Sequence, residues 1–91
     1  MIAIVFEAEM SRAQAVELAQ LMDRGRPTRP AGVLTASLLY EDGVASLIAY
    51  WLDRDTLDRF LAVTPVPRGQ ELMRKVGVEP RVRVVEVLEL G

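Results

Sequence analysis

The chain has 91 residues, of which 51% are hydrophobic and 26% charged, with a net charge of −2 and neither histidine nor cysteine. That is the composition of one small globular domain, 1–91, with no global basic field for nucleic acid and no apolar run long enough to span a bilayer. With histidine, cysteine and asparagine all absent, the sequence excludes Cys/His zinc sites, a His-ligated haem, Ser-His-Asp triads and cysteine nucleophiles.

"IAIVFEA" (2–8) is a short apolar run of strand length, the pattern of a central strand covered on both faces. The opening "MIAIVFEAEMS" has no basic leader and no small-residue cleavage site. With no cysteine for a disulfide framework, the expected setting is the cytoplasm. Ser11 then opens a helix. Ser11 with Gln14 makes a capping-box signature, Met10 suits a hydrophobic staple, and Gly25 is a natural stop. Ala15, Leu18, Ala19 and Met22 recur at helical spacing, with Val16 and Leu21 widening the stripe. "RGRPTRPAG" (24–32) is a loop, because two prolines and two glycines exclude regular structure.

"VLTASLLYEDGVASLIAYWL" reads as a hairpin turning at Asp42-Gly43. A type I′ turn there pairs Glu41 with Val44 and sets the remaining register. Tyr40 then opposes Ala45, Leu38 opposes Leu47, Ala36 opposes Ala49 and Leu34 opposes Trp51, giving a wholly apolar or aromatic face. The other face pairs Leu39 with Ser46, Ser37 with Ile48, Thr35 with Tyr50 and Val33 with Leu52. Asp53 or Asp55 caps a following helix with Leu57, Phe60 and Leu61 inward. "TPVP" (64–67) breaks it, and a second piece carries Leu72, Met73 and Val76 inward as far as Gly77. Pro80 precedes a last Val-rich strand, 81–90. The order βαββαβ, with its second helix split, predicts an α+β ferredoxin-like fold: a four-stranded antiparallel sheet with the helices on one side.

Helices on one side leave the second sheet face bare. Val33, Thr35, Leu39, Ile48, Tyr50 and Leu52 on that face predict a homodimer packed sheet to sheet, because each large apolar side chain gains about 1.5–3 kcal/mol on full burial.

The stretch "RPAGVLTASLLYEDGVASLIAYWLDRDTLDRFL" resembles the dimeric α/β barrel superfamily, and within it the antibiotic biosynthesis monooxygenase-like domains. Pro30, Gly32, Asp42, Gly43, Trp51, Asp55 and Leu57 carry the likeness. It implies a homodimeric barrel with one pocket per protomer between sheet and helices. It also implies either a small enzyme resembling cofactor-independent monooxygenases or a binder of small aromatic or apolar molecules. Two alternatives stand beside it: a non-catalytic regulatory or assembly module with a filled pocket, and an isomerase or lyase acting on a lactone or cyclic ketone. Members with oxygenase or haem chemistry pair the tryptophan with asparagine or histidine. Here Phe60 stands near the place of the helix histidine, so no haem, metal or other cofactor is expected.

Trp51 is the candidate stacking residue for an aromatic ligand, with Tyr40, Phe60 and Phe6 as further pocket lining. Packing of Trp51 into the core is the competing role. Glu86, Glu7 and Glu9 are possible general bases that more commonly face solvent or pair with arginine. Arg24, Arg26 and Arg29 could grip a phosphate or carboxylate, but the loop lacks the glycine spacing of a phosphate cradle and reads as a solvated basic loop.

Overall fold

The computed structural model describes all 91 residues. Its elements are β1 (Ile2–Glu9), α1 (Arg12–Gly25), a 3₁₀ turn (Arg26–Thr28), β2 (Val33–Glu41), β3 (Val44–Trp51), α2 (Arg54–Val63), α3 (Arg68–Lys75) and β4 (Arg81–Glu86). The four strands form one antiparallel sheet in the order β2-β3-β1-β4. This is the expected ferredoxin-like α+β arrangement with a split second helix.

Local chemistry explains the element boundaries. Ser11 Oγ accepts from the Gln14 backbone N–H at 3.1 Å while the Gln14 side chain accepts from the Ser11 N–H at 2.8 Å, closing the capping box at the start of α1. Asp53 rather than Asp55 caps α2, its Oδ1 accepting from the backbone N–H and the hydroxyl of Thr56 at 2.8 and 2.7 Å. The hairpin turns at Asp42 (φ 50°) and Gly43 (φ 79°), the two left-handed residues a type I′ turn requires. Gly43 O also accepts from the Met10 N–H at 2.9 Å, and the Tyr40 hydroxyl donates to Met10 O at 3.0 Å, so the turn is tied to the end of β1.

The expected register holds from Glu41–Val44 back to Thr35–Tyr50 and then fails. A bulge between Val33 and Thr35 puts Val33, not Leu34, opposite Trp51. Leu34 is left 49% exposed, while Val33 joins the helix-covered face and packs on the core. One extra residue in β2 thus exchanges the faces of this pair. Val33 is therefore corrected from the open face to the covered one. Three smaller corrections accompany it. Val16 and Ala19 lie on the outer side of α1. Leu34 leaves the covered face. The last strand stops at Glu86 rather than 90, since only Val87 continues the pairing, through a bond to Met1 O.

Ile4 and Phe6 of β1 and Leu47 and Trp51 of β3 meet Ala15 and Leu18 of α1, Leu57 of α2 and Leu72 and Met73 of α3 in one buried cluster. The opposite face carries Thr35, Ser37 and Leu39 on β2, with Ser46, Ile48 and Tyr50 beside them on β3. No helix covers it. At the sheet edge Val82 and Val84 of β4, paired with Phe6 and Ile4 on the helix side, are partly exposed, and Leu88 and Leu90 after the strand are exposed. No helix is long and apolar enough to cross a membrane.

Candidate functional site

A cavity of about 70 Å³, open on one side, lies between the sheet and the helices. Its floor is sheet: Ile4 and Phe6 of β1, Val33 and Ala36 of β2, and Leu47, Ala49 and Trp51 of β3. Leu57, Phe60 and Leu61 of α2 and Gly69 and Leu72 of α3 form its walls, and Met22 closes it from α1. Alternation along β1 and β3 aims their side chains to one face, and the bulge in β2 brings Val33 onto the same face as Ala36. Helical spacing brings Leu57, Phe60 and Leu61 to one side of α2.

Trp51 is 4% exposed. Its ring lies 5.1 Å from that of Phe60, centroid to centroid, at an interplanar angle of 44°, a tilted aromatic contact. Gly32 passes so close that a Cβ there would lie 2.8 Å from the Trp51 ring carbons and would also overlap Thr56. The absence of a side chain at Gly32 is thus what lets the chain cross the indole. Gly69 does the same for Phe6, whose ring packs onto the α3 backbone where a Cβ would collide with it. Trp51, Phe60 and Phe6 therefore meet at the cavity. Tyr40 does not: it lies outside the lining, with its hydroxyl committed to Met10 O.

The rim is basic. Arg26, Arg29 and Arg68 are the charged residues lining the cavity, and no carboxylate or tyrosine is among them. Arg68 is engaged through both terminal nitrogens, donating to Thr28 O at 2.6 Å, to Gly25 O at 2.8 Å and to Thr28 Oγ1 at 2.8 Å. It straps the first turn of α3 to the end of α1 and the 3₁₀ turn. Arg26 lies 3.3 Å from Asp23 in an exposed pair, an interaction of little strength in water. The remaining salt bridges join Arg54 to Asp58, Arg74 to Glu79, Lys75 to Glu71 and Arg81 to Glu7, so Arg29, half-buried, has no ionic partner. Arg24 is not on the wall.

The carboxylates lie elsewhere. Glu7 is on the open sheet face, accepting from Arg81 at 2.9 Å and from the Ser46 hydroxyl at 3.3 Å. Glu86 and Glu9 are exposed. Tyr50, paired with Ala3 and Thr35, is also on the open face. No group of three or more His, Cys, Asp or Glu comes together. The cavity thus offers apolar surface, aromatic rings and arginine. It offers no acid or base to move a proton, which leaves the isomerase or lyase alternative without its required group.

No protein-family model matches the sequence, and no curated protein matches it. Solved structures do. A candidate antibiotic biosynthesis monooxygenase from Deinococcus radiodurans aligns over 99% of this chain and 95% of its own, at 17% identity and a TM-score of 0.65. A second, from Bordetella bronchiseptica, aligns over 97% of both chains at 14% identity and a TM-score of 0.69. SnoaB, a cofactor-independent oxygenase from Streptomyces nogalater, aligns as a variant over 98% of this chain and 94% of its own, at 19% identity and a TM-score of 0.63. The chain therefore has the fold of the antibiotic biosynthesis monooxygenase-like structures, a ferredoxin-like α+β unit.

Proposed function

We propose that the chain is a homodimeric protein that binds small aromatic or apolar molecules in the cavity beside Trp51 and acts as a cofactor-independent oxygenase on electron-rich hydroxyaromatic ones. The setting proposed for it is the cytoplasm. The observation that carries this reading is the cavity itself: open to solvent, walled by Trp51, Phe60 and Phe6, and placed between sheet and helices. SnoaB, of the same fold, supplies the precedent for oxygen chemistry without a cofactor.

The wall has no base, so the substrate supplies both electrons and protons. A phenol plus dioxygen gives a quinone plus water. One oxygen atom enters the ring, the other leaves as water, and the ring gives up its phenolic hydrogen and one ring hydrogen. The protein's part is to hold the ring and exclude water. Size bounds the substrate. The cavity of about 70 Å³ is half the roughly 150 Å³ that holds benzene in an engineered apolar cavity. A single ring enters through the open side, whereas a bicyclic ring requires Phe60, Met22 and Leu61 to move.

That small volume also favours a second reading, a non-catalytic dimeric module whose cavity is only imperfect packing. Titration with single-ring phenols separates the two. The ligand reading expects saturable quenching of Trp51, the only tryptophan, and oxygen uptake with the most electron-rich member. An unchanged emission across such a panel would leave the assembly module.

The dimer is proposed on the open sheet face. Leu39 is 56% exposed there, Ile48 and Tyr50 are half-buried, and Leu52, just past the end of β3, is 58% exposed. A second copy covers them with the same surface about a two-fold axis.

A further inference from the structure

We infer that the ligand of this cavity carries an anionic group, a carboxylate or an equivalent acid on an apolar or aromatic body, and that Arg29 receives it. The inference rests on the ligand-binding reading above and narrows its substrate class. Three observations carry it. The interior holds only part of a ring, so the rest of any ligand lies at the open side. Every charged side chain lining the cavity is an arginine, Arg26, Arg29 or Arg68. Of these, Arg68 is committed through both terminal nitrogens to Gly25 and Thr28, Arg26 is held near Asp23, and Arg29 alone has neither an ionic partner nor a side-chain hydrogen bond.

The segment around Arg29 is fixed although its guanidinium is not. The Arg29 N–H donates to Arg26 O at 3.2 Å, the Val33 N–H donates to Pro30 O at 3.1 Å, and Gly32 O accepts from the Leu52 N–H at 3.1 Å. Arg68 braces the preceding turn from α3. The backbone at the rim is therefore preorganised, and the planar donor set of Arg29 is available to a carboxylate in a two-bond fork. A neutral ligand gains at most an ordinary hydrogen bond from this rim, without the added strength of a charged acceptor. A cationic one meets three like charges and a single exposed aspartate.

The test uses two probes of one shape, 4-methylbenzoate and the neutral 4-methylbenzamide, read by Trp51 emission. The expected result is that the acid binds about tenfold more tightly than the amide, the scale of one charge-assisted contact at a partly exposed site. Arg29→Gln should erase that preference by lowering the acid's affinity far more than the amide's. Arg29→Lys should keep part of it, and Arg24→Gln, off the wall, should keep all of it. Equal binding of acid and amide by the wild-type protein overturns the inference and leaves the ligand site standing. So does a preference that survives Arg29→Gln. Quenching by neither probe overturns the ligand site and the inference together.

Discussion

Trp51 is held by close packing from three directions: Gly32 across the indole, Phe60 at 5.1 Å, and the sheet beneath. Trp51→Phe keeps a ring in place but leaves space, and should cost on the order of 1–3 kcal/mol of stability while weakening ligand binding. Denaturant unfolding reads the first effect and competition with a fluorescent ligand the second. A stability loss with unchanged affinity would return Trp51 to a purely structural role. Gly69→Ala should force the Phe6 ring to shift, because the new methyl occupies the ring's position, and should cost roughly 1–3 kcal/mol by overpacking. The aromatic lining was legible in the sequence because strand alternation and helical spacing alone aim Trp51, Phe6 and Phe60 inward. The arginine rim was not. Arg68 meets Thr28 across 40 positions of sequence, and no local pattern announces a contact made by two distant segments.

The helix ends carry most of what local sequence could specify. Ser11→Ala removes one half of the capping box and should cost about 1 kcal/mol, read as a shift in the denaturant midpoint at unchanged slope. Asp53 sits below the ordinary aspartate range, held there mainly by the Thr56 backbone N–H and then by the Thr56 hydroxyl. Glu79 is also lowered, chiefly by the Arg74 guanidinium and then by Gln70. Both carboxyls have folded-state values below their unfolded ones. Their contribution is therefore complete above the unfolded values, erodes below roughly pH 4.5, and is gone once pH falls through the folded values. The melting temperature should decline over that interval, and Asp53→Asn should flatten part of the decline while retaining the cap. A decline of identical depth in Asp53→Asn would assign it to other groups. The bulge at Leu34 had no such signature. The turn at Asp42-Gly43 sets the register outward from itself, and the extra residue appears only at the far end, where the chain bends to pass Trp51. The shortened β4 has a related cause: β1 begins at Ile2, so the last strand has no partner to continue against.

For the molecule as a whole, the element order and the alternation within each strand were enough for the fold, since an apolar face on both sides of a hairpin forces helices onto one of them. What covers the other face is a matter between chains. A homodimer should show twice the 10.1 kDa chain mass by sedimentation at micromolar concentration. Ile48→Asp, placing a carboxylate in the middle of the open face, should reduce it to monomer or unfold it. A wild-type monomer would contradict the barrel. The proposed function rests on ligand binding in the cavity beside Trp51, which crystals soaked in 4-bromobenzoate would reveal through the anomalous signal of bromine. The expected result is a single strong peak within the cavity, among Trp51, Phe60 and Phe6, with the carboxylate toward Arg29. A cavity with no ligand density at saturating concentration, its walls unmoved, would contradict ligand binding there.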